Sequence, residues 1–249
     1  EGEQSLLMTA EVVDSLDAEI DFSRYDTVVV IHAGAGEETD IAGDSPEQIF
    51  STYYSPEDFQ EAFEDTVLAT PYIPSDDFPE GEGIRQVLVL PENEFQDGGT
   101  IGSLGVYGFE FGLRLGMLSL SDFTPSGFPD SWGIGQLGLM GLGLYVAGGY
   151  IPPHPVAFNK QLMGWLDPYV PDPAAGATWT LYPAEQPDHP QAGARIDVNG
   201  REYWLVEYRL QDPDGNGIFS FTGDLNGDNY PSFTRIDDPT YVPPFFEFF

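Results

Sequence analysis

Residues Gly99 to Leu120, GTIGSLGVYGFEFGLRLGMLSL, decide how the rest of the chain reads. The stretch predicts a helix from about Ile101 to Leu115, with one acid, Glu110, in its middle. Glycines at positions 102, 105, 108 and 112 each lower intrinsic helix propensity by roughly 1 kcal/mol relative to alanine. Such a helix persists only when tertiary packing supports it, and the missing side chains invite another backbone to approach closely.

Upstream, DTVVVIH at 26 to 32 and QVLVL at 86 to 90 are short β-branched runs, of the kind found in a sheet covered on both faces. AGAG makes a tight exit from the first, and Pro91 is expected to close the second. Ser5 to about Ala18 carries apolar residues at three- and four-residue spacing, which predicts an amphipathic helix. Ser55 followed by Pro56, Glu57 and Asp58 is a helix start: a capping hydroxyl, proline in the first turn and acids at the positive end of the dipole. That helix is expected to reach about Asp65. Glu37 to Asp44 and Tyr72 to Gly83 read as loops, the first of them solvated.

Downstream, Gly133 to Pro153 has no charged residue over about the length of a membrane helix, but it holds seven glycines and a glutamine. It reads as a buried Gly-rich turn region and not as a membrane span. Pro155 to Trp165 predicts a short helix ending near Gly164. Beyond Pro168 the pattern turns to β: a strand over Ala177 to Tyr182, then Ala194 to Val198 joined to Glu202 to Leu210 through Asn199-Gly200, a two-residue hairpin signal. The fold class expected is α/β in the broad α+β sense. A mixed sheet packed with helices occupies 1–168, and a β-rich C-terminal portion occupies 169–249.

The 249 residues contain 42 Asp and Glu against 8 Lys and Arg, a formal net charge of -34. So acidic a surface repels nucleic acid and anionic head groups, and neither is expected as a partner. Cations, a basic partner, a high-salt habitat or plain solubility remain. There is no cysteine, so disulfides and thiolate metal sites are excluded. The chain begins at Glu1 without methionine or a recognisable signal peptide, which suggests a processed or excised segment.

Several stretches, taken in order, resemble the catalytic domain of the immune-inhibitor-A-type secreted zinc metallopeptidases over roughly residues 1 to 210. They are YDTVVVIHAGAGEE at 25 to 38, VLVLPE at 87 to 92, GTIGS at 99 to 103, and FEFGLRLGMLSLSD at 109 to 122. The last is similar to the family's H-E-F-G-H-x-L-G-L-P-D-L-Y-D. GIGQLGLMGLG at 133 to 143 is similar to G-I-G-x-W-D-L-M; PPHPVAFNKQLMGWLDP at 152 to 168 and EYWLVEYR at 202 to 209 complete the series. The resemblance implies a zincin-like fold and an extracellular or cell-surface location. It places the two histidine ligands on Phe109 and Leu113, the third ligand on Ser119, the general base on Glu110 and the underlying methionine on Met140. Gly138 stands where the family has aspartate.

Phe and Leu offer no donor atom, and a lone serine hydroxyl is a poor zinc ligand. Zinc is therefore not expected. A base without a metal-bound water to deprotonate has no task. The histidines do not rebuild a site: His32 ends the first strand, His154 is flanked by prolines, His189 lies in PDHP, and none forms an i, i+4 pair. Ser103 and Ser119 lack a nucleophile elbow. The implied function is a catalytically inactive, metallopeptidase-like structural or interaction module. Alternatives are a hydrolase with a relocated metal site using Glu110, and a peptide- or ligand-binding domain reusing the cleft. Apolar side chains at the old metal positions are expected to fill the site as core.

One ion-binding pattern is independent of the resemblance. DPDGNG at 212 to 217 puts oxygen ligands at Asp212, Asp214 and Asn216, the one-three-five spacing of a calcium loop. DLNGDNYPS at 224 to 232 repeats it with Asp224, Asn226 and Asp228. Both lack an acid at the closing position, and Asp/Asn turns are the competing reading. The apolar tail, Tyr241 to Phe249, needs burial and is a candidate interface for a protein partner or for self-assembly.

Overall fold

The computed structural model describes residues 2–40, 42–45, 47–99, 101–121, 133–172, 179–184, 191–209, 220–225 and 231–234. The fold is α+β, with helices and mixed sheets. Two compact units divide between Pro152 and Pro153.

In the first unit, helix α1 (Gly2–Leu16) is followed by strand β1 (Val28–Ala35), the short strand β2 (Thr52–Tyr54), helix α2 (Pro56–Glu64), strand β3 (Val87–Asn93) and helix α3 (Ser103–Leu115). β3 lies in the centre of a three-stranded sheet, parallel to β1 and antiparallel to β2. Val87 and Val89 join Leu6 and Val13 of α1 and Phe59 and Ala62 of α2 in one core cluster. Alternation turns Leu88 and Leu90, also fully buried, to the opposite face, where α3 packs on β3. The run at 86–90 thus marks a strand covered on both faces, whereas β1, at the sheet edge, does not fit that expectation: Val29 and Ile31 on one of its faces are exposed.

β3 does not stop at Pro91 but continues to Asn93. β2 pairs only with Val87 to Val89, so beyond that point a missing N–H interrupts no bond on the β2 side. α2 begins with the expected cap. The Asp58 N–H donates to Ser55 Oγ at 3.3 Å and the Ser55 N–H to Asp58 Oδ2 at 2.7 Å, a reciprocal capping box.

The glycines of α3 are explained by close approach. A Cβ at Gly105 would overlap the Leu144 carbonyl oxygen, and one at Gly112 would lie 2.5 Å from Met140 Sδ. The helix ends at Gly116, in the left-handed conformation at φ 98°. The N–H groups of Gly116 and Met117 donate at 2.9 Å to the Leu113 and Gly112 carbonyls. Within Gly133 to Pro153 the chain forms a 3₁₀ turn, Gly135–Leu137, and 3₁₀ backbone over Leu142–Gly149 that is broken by non-helical residues at Val146, Ala147 and Gly148. No helix among the described residues is long and apolar enough to cross a membrane.

The second unit contains helix α4 (Ala157–Leu162) and strands β4 (Gly193–Asp197) and β5 (Tyr203–Glu207), with a further antiparallel pair, β6 (Ser220–Leu225) and β7 (Pro231–Thr234). α4 packs on β5, and the Ala157 N–H donates to Glu207 Oε2 at 3.1 Å. The PVAFNKQL segment therefore belongs with the hairpin that follows it, and the division precedes the change of composition at Pro168.

β4 and β5 are antiparallel as expected, but their last strand pair is Asp197 with Tyr203, not a two-residue Asn-Gly turn. Asn199 Oδ1 accepts from the N–H groups of Arg201 and Glu202 at 2.9 and 3.1 Å, and this side-chain turn lengthens the loop. Of the strand expected at 177–182, residues 179–182 form no strand and 177–178 lie outside the described residues; the Tyr182 N–H donates to the Gln191 carbonyl at 3.0 Å.

Candidate functional site: a buried carboxylate cluster

β1 and β3 run parallel, so their C-terminal ends lie side by side and whatever follows each strand meets there. Glu38 follows β1 in a single 3₁₀ turn, Glu37–Thr39. Glu94 follows β3 directly. Glu110 enters from the middle of α3, which packs on β3 and β2. Glu38 therefore comes within electrostatic reach of both Glu94 and Glu110.

Their surroundings are built. Glu94 is completely buried and Glu110 is 8% exposed. Glu94 and Glu38 are within hydrogen-bonding reach of each other, and the Gly36 N–H also supports Glu94. Thr39 Oγ1 lies 3.2 Å from Glu94 Oε2 and 3.0 Å from the Gly36 carbonyl, so its one proton serves two acceptors. Gln96 Nε2 donates to Thr39 Oγ1 and to the same carbonyl, both at 2.8 Å. Glu38 Oε2 accepts from the Ser51 N–H at 3.1 Å. A Cβ on Gly36 would stand 2.6 Å from the Glu38 carboxyl carbon, so glycine there lets the carboxyl fold back against the chain.

Burial pushes Glu94 up to about 8, and the neighbouring Glu38 adds to the effect. Burial likewise pushes Glu110 up to about 8; the Tyr53 backbone opposes the shift and Glu38 reinforces it. The Tyr145 phenol is raised to about 12, by burial first and then by Glu38, Glu94 and Glu110. Glu110 is thus mostly a neutral acid at pH 7, not a ready base.

The positions where the resemblance would put metal ligands lie along α3 and just beyond it. Phe109, Leu113 and Ser119 are each half-buried. They have not become core as expected; the fully buried residue under the helix is Met140, with Gly112 leaving room for its sulfur. His32 Nδ1 lies 3.1 Å from the Ala33 carbonyl and His154 Nδ1 3.1 Å from the Pro155 carbonyl; His189 is outside the described residues.

Of the expected calcium ligands, Asp212, Asp214, Asn216, Asn226 and Asp228 lie outside the described residues, as does the tail from Tyr241 to Phe249. Asp224 belongs to β6. Two other acidic groups bring their carboxylates within 4.8 Å of one another: Asp17, Asp76 and Asp77, and Asp40, Asp44 and Asp97. In the second, Asp40 accepts from the N–H groups of Gly43, Asp44 and Ser45, and these hold it below the usual carboxylate range.

Glu38 and Glu94 escape a reading of the sequence, because each looks like one more acid in a solvated loop. The Glu37 to Asp44 segment is instead tied down around Thr39, which is 1% exposed. A usable signal was present: an acid shortly after each of two β-branched, parallel-type strands. Compared with family models, with curated proteins and with solved structures, the chain matches none of them.

Proposed function

We propose that the chain is a degenerate zincin-like domain of immune-inhibitor-A type, inactive as a peptidase. It would serve as a structural or interaction module of a secreted or cell-surface protein. The observation that carries this reading is the state of α3. Glu110 occupies the position of a general base but is buried and largely protonated at neutral pH, while Phe109 and Leu113 on either side have no atom that binds zinc. The mixed sheet under α3 and the buried Met140 agree with the scaffold that the resemblance implies.

Metal analysis and a casein-cleavage assay of the purified chain test the proposal. The expected result is no stoichiometric zinc and no cleavage; chelator-sensitive cleavage with one zinc per chain overturns it. The triple substitution F109H/L113H/S119D is expected to gain zinc binding without loss of fold. The interaction role is assigned to the apolar tail. Deleting residues 243–249 should lower the mass measured in solution or abolish partner capture, and an unchanged assembly state removes that assignment.

A further inference from the structure

Three buried carboxylate oxygens, Glu38 Oε1, Glu94 Oε1 and Glu110 Oε2, have no donor group of the protein bonded to them among the described residues. An unpaired buried polar atom costs about 1–3 kcal/mol, and more when charged, so three together call for a compensating group. Among the described residues no Lys, Arg or His stands within 4.0 Å of any of them; the described ion pairs, Arg195 with Asp197 and Arg209 with Glu207, lie in the second unit. We infer that Glu38 and Glu94 are carboxylate ligands of a hard divalent cation held where β1 and β3 end together.

Four features favour a cation. The donors are all oxygen, which selects calcium, magnesium or manganese over softer ions. Glu94 is wholly buried, so its free oxygen faces into the protein and not into bulk water. The Glu38 carboxyl is held in place from both sides, by the Ser51 N–H and by the absence of a side chain on Gly36. Finally, Glu38 and Glu94 stand within hydrogen-bonding reach of each other, close enough for one ion to engage both. The site stands whether or not the chain descends from a peptidase, since it uses neither the old histidine positions nor Ser119.

Calorimetric titration of the full chain, stripped with chelator, tests the assignment with calcium, magnesium and manganese as probes. The controls are E94Q, E38Q/E94Q, and a D212N/D214N/D224N/D228N variant that removes the C-terminal candidate loops. Wild type and the loop variant should both bind the ion at this site and melt at higher temperature with it. E94Q should weaken that binding at least about tenfold and E38Q/E94Q should abolish it. In chelator both glutamine variants should melt no lower than wild type, which separates loss of a ligand from loss of fold. The inference is overturned if wild type binds none of the three ions, or if E38Q/E94Q keeps the same stoichiometry and affinity. Wild type that binds no ion, but loses stability as pH rises toward 8, would mean that a shared proton takes the cation's place.

Discussion

The buried carboxylates at the ends of β1 and β3 and the exposed ones around Asp40 are the same chemistry in opposite circumstances. Glu94 and Glu110 have lost water and gained few donors, and both are pushed up to about 8. Asp40 has kept its water and gained three backbone N–H donors, and it is held below the usual range. The contrast teaches that in a chain with 42 acids, count and spacing say little. What distinguishes a site is which carboxyl groups the fold deprives of solvent without giving partners in return.

The largest test breaks the buried half of this comparison by unseating α3. Gly105→Ala places a methyl group against the Leu144 backbone, which cannot move aside as a side chain would. Thermal or denaturant unfolding should show a loss of about 3 kcal/mol. A neutral result would mean that α3 and the Leu142–Gly149 segment are not packed so closely.

A smaller effect is expected from Glu110→Gln, and its sign depends on pH. Glu110 has a folded value raised to about 8 against an ordinary 4.5. Below about pH 4.5 both folded and unfolded states carry the proton and nothing is lost. Between 4.5 and 8 the unfolded chain ionises first, so stability falls as pH rises, and above about 8 it levels off. The groups facing Glu110 in this titration are Glu38 and Tyr145, with the Tyr53 backbone opposing the shift. In chelator, E110Q should match wild type near pH 5 and exceed it by about 1–2 kcal/mol at pH 8. Unfolding curves at the two pH values check this; a difference independent of pH would remove the assigned shift.

The smallest effect, and the opposite sign, belongs to Asp40→Asn. Because Asp40 is held below its ordinary value, its contribution is present above about pH 4 and disappears as pH falls through the folded value. The variant should melt slightly below wild type at pH 7 and coincide with it near pH 2. The pair of profiles, E110Q diverging upward with pH and D40N diverging downward, sharpens the distinction between the two kinds of acid.

Much of the first unit was legible because local signals there agree with the packing. The Ser55 cap, the two β-branched runs and the glycine-bearing helix all form within a few residues of expectation. Local reading failed where a side chain or a neighbouring strand changed the outcome. Asn199 bonded to the backbone and lengthened a turn, and β3 ran on through Pro91 because β2 had already ended. The candidate site was half legible: Glu110 stands out in its helix, but its companions Glu38 and Glu94 lie 72 and 16 positions away.

By itself the sequence determined the α+β class, the presence of the two strands, the capped helix and the lack of thiolate chemistry, since each rests on residue type, periodicity or near-neighbour hydrogen bonds. Only the tertiary structure decided that three acids from separate segments share one enclosed place. Parallel pairing of β1 with β3 and the seating of α3 on glycine bring them together, and burial is a property of that assembly that no single stretch of chain carries.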